Sequence, residues 1–164
     1  DIDRSRGLGD VYKRQINRYA SDLKMHVSNA ENKIRLYNEG FKGFTMTVES
    51  IKSLKETSEL LTSKIKSYLD NGNFSKRKLS SLNKKLISLE KSFISEEGMY
   101  FGSWYKSLYA SSDPFSGYAA WILPGLEYEI SLKSSKRLAE WDQRYSNAIS
   151  SLSQKMRQVI KDLN

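Results

Sequence analysis

The sequence predicts an all-α fold: an up-and-down four-helix bundle in which a long, irregular aromatic crossover joins the third and last long helices. Three observations carry this. Apolar residues recur in alternating steps of three and four along four stretches, which lays one stripe down each helix. Turn compositions, Asn38-Glu39-Gly40 and Asp70-Asn71-Gly72, separate the first three stretches. No stretch of useful length alternates polar and apolar residues as a half-buried strand would.

The first helix is expected from Ile16, through Ala20, Leu23, Val27, Ala30, Ile34 and Tyr37, to a break at Gly40 and Gly43. The second carries Val48, Ile51, Leu54, Leu61, Ile65 and Tyr68 and stops at Asp70-Asn71-Gly72. Ser75 suits the N-cap of the third, whose seam is Leu79, Leu82, Leu86, Leu89 and Phe93. That helix is expected to end between Ser95 and Gly98. Pro124 fits the first turn of a short helix reaching Ile130, because a missing N–H costs nothing there. The last helix starts near Ser134 or Ser135 and carries Leu138, Trp141, Tyr145, Ile149, Leu152, Met156, Val159 and Leu163 on one stripe. Four such helices with short turns and one long crossing segment make a bundle.

Asp1 to Gln15 does not share the pattern. It lacks an initiating Met, runs Arg4-Ser5-Arg6-Gly7-Leu8-Gly9-Asp10 and reads as translated adaptor sequence, to be set aside from the fold. Gly7-Leu8-Gly9 has neither the third glycine nor the preceding strand of a phosphate loop. On this reading the chain is the 3′ end of a longer gene, and residues 16–164 form the domain.

Composition sets the limits. With 164 residues of which 38% are hydrophobic, one modest core is affordable and two are not. No run of about 18 apolar residues is present to span a bilayer. Cysteine is absent, which removes disulfides and thiolate metal sites. The 27 basic and 19 acidic residues leave a formal charge of +8, spread along the helices in Lys-Ser and Lys-Lys pairs. A nucleic-acid reader gathers its basic residues on one face beside base-reading side chains, so no nucleic-acid partner is expected. Asn73-Phe74-Ser75 matches the glycosylation acceptor pattern, which is frequent by chance.

Independent catalytic chemistry is missing. A hydrolytic metal centre needs three or more converging His or carboxylate ligands, and the chain has one histidine, His26, beside the first helical stripe. Glu96-Glu97 are neighbours on a helix end and are read as solvated; no serine has His and Asp partners in a triad order. The unusual chemistry lies between Met99 and Trp121, where Tyr100, Phe101, Trp104, Tyr105, Tyr109, Phe115 and Tyr118 are too dense for a solvated linker.

Read in order, Leu86-Ile87-Ser88-Leu89-Glu90-Lys91-Ser92-Phe93-Ile94, Gly98, Trp104-Tyr105-Lys106, Tyr109-Ala110, Gly117-Tyr118-Ala119-Ala120 and Leu123-Pro124-Gly125 resemble the transferrin receptor-like dimerisation domain. That domain is the C-terminal helical part of glutamate carboxypeptidase II-like metallopeptidases of the M28 family and of the transferrin receptors. The likeness is densest from Leu86 to Gly125 and runs more loosely from Ile16 to the C-terminus.

The resemblance implies a non-catalytic helical domain that pairs two protomers into a homodimer. The parent would be a zinc-dependent exopeptidase whose upstream peptidase domain holds two zinc ions and takes a peptide substrate; no cofactor is expected in this chain. It also implies an extracytoplasmic or membrane-anchored parent. In the glutamate carboxypeptidases the corresponding loop brings a Lys-Tyr pair to the pocket that grips the substrate's terminal carboxylate. Here the tyrosine is Tyr118 and the lysine position is Gly117, which weakens a preference for C-terminal glutamate. Alternatively, Tyr118 packs under Pro124 with its hydroxyl at the surface. Transferrin receptors illustrate a second reading, a non-enzymatic receptor or adaptor used for association only. A free-standing basic coiled-coil protein is a third.

Overall fold

The computed structural model describes residues 18–71, 75 and 77–163 in full, and for residues 2–17 and 76 the helical backbone alone. Among the described residues the α-helices are α1 (Ile2–Arg35), α2 (Thr45–Asp70), α3 (Lys76–Ser88), α4 (Pro124–Ser131) and α5 (Leu138–Asp162). A 3-10 turn (Leu89–Phe93) and two short strands, β1 (Ala110–Ser112) and β2 (Ala120–Ile122), complete the order. The α1 backbone is helical from Ile2, ahead of the apolar period that starts at Ile16. The leading segment's side chains and Asn73 of the acceptor pattern lie outside the described residues.

The predicted stripes form the core. Leu23, Val27 and Ile34 of α1, Ile51, Leu54 and Leu61 of α2, and Trp141, Tyr145, Ile149 and Met156 of α5 are all buried. On α2 the stripe departs from the apolar residues at its first position only. Thr47 is buried and Val48 is 42% exposed. The reason is polar: the Thr47 N–H donates to Asp142 Oδ1 at 2.8 Å, and Thr47 Oγ1 donates to the Asp142 carbonyl at 3.0 Å. A threonine that satisfies its own hydroxyl and part of a helix end occupies the core position, and the neighbouring valine faces out.

Successive long helices reverse direction, so α2 and α5 run parallel. Met46, Ser50 and Ser53 meet Asp142, Ser146 and Arg157 in step. Among the described helices these two share the most extensive contact. Buried Thr57, Ser58, Ser146, Ala148 and Ser153 keep their facing sides slim, which lets the axes approach.

The third helix differs from its heptad reading. Ser75 caps it, accepting from the Lys78 N–H at 3.3 Å, but the α-helix stops at Ser88. Leu89 and Phe93 continue the seam from the 3-10 turn and are buried with Leu82 and Leu86. Nor is the crossover wholly irregular: β1 and β2 pair antiparallel, Ala110 with Ile122, Ser111 with Trp121 and Ser112 with Ala120. Strands this short leave no alternation for the eye to find.

Candidate functional site: the aromatic crossover

The crossover is laced to the bundle at both ends. The Leu108 N–H donates to the Phe93 carbonyl at 2.8 Å, Ser95 N–H to Lys106 O at 2.8 Å, and Leu123 N–H to Tyr109 O at 2.8 Å. Arg144 of α5 reaches up from below, giving 2.8 and 2.9 Å bonds to Gly98 O and Ser95 Oγ while its guanidinium lies 4.5 Å from the Trp141 ring centre. Gly98 has φ +74°, and a Cβ there would stand 2.4 Å from the Ser103 carbonyl oxygen. No other residue closes that turn without moving backbone.

At the far end the hairpin presses on α5. A Cβ on Gly125 would lie 2.5 Å from the Trp141 ring, so the start of α4 lies directly on the indole. The Gly125 N–H donates to the buried Tyr145 phenol oxygen at 3.1 Å. Burial pushes the Tyr145 phenol up from its ordinary value, so it stays neutral. One turn on, Glu129 is fully buried, and its Oε1 meets Arg137 Nε at 2.7 Å. Arg137 in turn lies 4.3 Å over the Tyr100 ring.

Between β1 and β2, Asp113 organises the tip. Its Oδ1 accepts the Phe115 and Ser116 N–H groups at 2.8 and 2.7 Å; Oδ2 accepts the Ser116 hydroxyl and, at 3.3 Å, the Ala119 N–H. Its backbone N–H donates to Ala119 O at 2.8 Å and its carbonyl accepts from the Gly117 N–H at 3.0 Å. The Ser116 hydroxyl and these amides hold the Asp113 carboxyl down to about 2. Gly117 follows with φ +75° and open space around its missing side chain. The positive φ accounts for the glycine; crowding does not.

Tyr118 stands at that tip, 97% exposed, whereas Pro124 is buried at the start of α4. Tyr118 therefore does not pack under Pro124. Elsewhere on the crossover a chain of rings runs from Trp104 through Tyr105 to Phe101 at 5.7 and 4.8 Å; Phe101 meets Tyr128 at 5.1 Å, and Tyr128 stacks with Phe115 at 6.2 Å. Trp104 and Phe115 are 74% and 66% exposed. From Gly98 to Leu126 the only charged residues are Lys106 and Asp113. Both are occupied locally, since the Lys106 ammonium bonds to the Glu96 carbonyl oxygen. An exposed, nearly charge-free aromatic strip is the composition of an interface core.

The structure thus puts Gly117 and Tyr118 together at an offered tip. Sequence reading missed Asp113, although Asp113-Pro114-Phe115-Ser116-Gly117 carries a turn signature in which an aspartate captures the amides that follow it. His26 is half-buried at the edge of the α1 stripe. Among the described residues no group of three or more His, Cys, Asp or Glu side chains converges to hold a metal ion. Nor is any described helix long and apolar enough to cross a membrane.

No individually curated protein matches the chain. The family model of the transferrin receptor-like dimerisation domain does, over residues 42–157. That span takes in α2, α3, the whole aromatic crossover, α4 and most of α5. It is well over half of the sequence, and the chain belongs to the transferrin receptor-like dimerisation domain family.

Proposed function

We propose that the chain is the helical pairing domain of a zinc-dependent M28-type exopeptidase. It joins two protomers into a homodimer and lends the Tyr118 loop to the substrate pocket of a peptidase domain on the same polypeptide. The observation that carries this is the tip itself: Tyr118 is 97% exposed on a hairpin that Asp113 holds closed. An exposed phenol on a fixed loop can give a directed hydrogen bond to a ligand oxygen, which a tyrosine serving only the core cannot.

Among the described residues no donor set fits a zinc site, and the two zinc ions of the parent would be held by peptidase-domain residues. At the tip, Gly117 supplies no cation. The phenol and the neighbouring Phe115 ring then recognise the end of a peptide without the charge pairing that favours an acidic terminal residue.

Sequencing the genomic DNA around the gene tests the reading. An adjoining domain with paired zinc-ligand His, Asp and Glu residues, and peptidase activity in which Tyr118→Phe raises KM with little change in kcat, is the expected result. A peptidase-like domain with its ligands replaced would transfer the chain to the receptor class, where the same bundle serves association alone.

A further inference from the structure

A second feature of the bundle lies away from the crossover tip. Between α1 and α3, floored by Leu152 and Met156 of α5, an open cleft of about 590 Å³ is lined by Tyr19, Leu86, Leu89 and Phe93. Tyr19 stands edge-on to Phe93 at 5.7 Å and stacks on Tyr109 at 5.1 Å, which gives the cleft a firm aromatic wall. At its border Ile94 is 52% exposed, and Ile87, one turn before Glu90 and Lys91, is 56% exposed. Two large aliphatic side chains thus face water beside an unfilled apolar groove.

We infer that this cleft and its isoleucine border are the surface through which two copies of the chain associate. The inference rests on the dimerisation reading and names the face that performs it. Charge selects the occupant. The chain carries +8, so two copies brought together over most of their surface repel each other. The cleft itself carries no positive excess: of the charged residues that line it, Arg18 stands against Asp22 and Glu90, with Arg18 and Asp22 3.6 Å apart.

An acidic foreign partner would find better matches on the lysine-rich helices. A second copy finds in this patch its own complement. A two-fold axis makes such an interface isologous, so that Ile87 and Ile94 of each copy enter the other's cleft and Arg18 of one faces Glu90 of the other. α3 gains most, because a helix of 13 residues is marginal by itself.

Sedimentation of the purified 164-residue chain over a concentration series tests this, alongside Ile87→Glu, Ile94→Glu, Arg18→Glu and the pair Arg18→Glu with Glu90→Arg. The wild type should dimerise. Each glutamate at the isoleucines should weaken the dimer at least tenfold without altering the far-ultraviolet spectrum, since both side chains are more than half exposed. Arg18→Glu should weaken it, and the charge-reversed pair should restore it. Tyr118→Ala should leave it unchanged.

A dimer indifferent to the isoleucine and charge substitutions would overturn the assignment of this face while leaving dimerisation standing. A wild type that stays monomeric throughout would overturn both.

Discussion

Removal of the Asp142 side chain should cost the bundle about 3 kcal/mol, and the figure follows from where α2 begins. Phe44 precedes α2 and supplies no side-chain cap. The first-turn amides of α2 are instead answered from α5, by Asp142 Oδ1 at 2.8 Å from Thr47 N and Oδ2 at 3.2 Å from Met46 N. Met46 is 42% exposed, so water replaces the lost partner there at small cost. Thr47 is 1% exposed and its amide would be left unpaired, a penalty of about 1–3 kcal/mol. Loss of a carboxylate at a helix N-terminus adds about 1 kcal/mol. In Asp142→Ala the total would lower the melting temperature by roughly 6–12 °C for a chain of this size. Asp142→Asn keeps one acceptor and should lose about a third as much. Urea denaturation followed by circular dichroism reads both. Thr47→Val is the control: it removes only the hydroxyl bond to the Asp142 backbone carbonyl and leaves the Thr47 amide paired with the carboxylate, so it should cost less than Asp142→Ala. A loss under about 1 kcal/mol in Asp142→Ala would show that α5 does not cap α2.

Other outcomes follow from the same structure. Gly125→Ala places a methyl 2.5 Å from the Trp141 ring and should destabilise by about 2–3 kcal/mol, an effect that calorimetry should find largely relieved in Gly125→Ala with Trp141→Leu. Arg137→Ala strands the fully buried Glu129 and should cost about 3–5 kcal/mol in chemical denaturation, well above the cost of removing an exposed partner such as Arg18. The Asp113 carboxyl has a lowered pKa, so its contribution to hairpin stability is complete above the ordinary carboxylate value of about 4 and fades as pH falls through about 2. The Phe115 and Ser116 amide resonances should move with that titration, and Asp113→Asn should abolish the dependence. Unmoved resonances between pH values of about 4 and 2 would refute the clamp.

Much of the fold was legible because helix stripes are a local property. Leu23, Val27, Ile34, Trp141, Tyr145 and Ile149 occupy the core where their spacing of three and four puts them, and Ser75 caps α3 as its side chain allows. The errors have a common origin. Thr47 displaces Val48 because Asp142, 95 positions away, rewards a polar residue there. α3 yields to a 3-10 turn at Leu89 because the chain must enter the crossover, which no stripe records. The β1–β2 pairing rests on three residue pairs held by Asp113 and by lacing to Phe93 and Tyr109, too little for a period to reveal.

The candidate site divides in the same way. The ordered aromatic and glycine residues of the crossover, and the family they indicate, were present in the sequence, since residue types in a fixed order survive without coordinates. That Gly117 meets a backbone requirement instead of a crowding one, that Tyr118 is offered to solvent, and that a cleft stays open beside α3 were decided only when distant segments packed. Side-chain spacing acts over one helical turn, whereas caps, close approaches and unfilled gaps are properties of pairs of segments, and the pairing is set by the balance of packing and polar satisfaction over the whole chain.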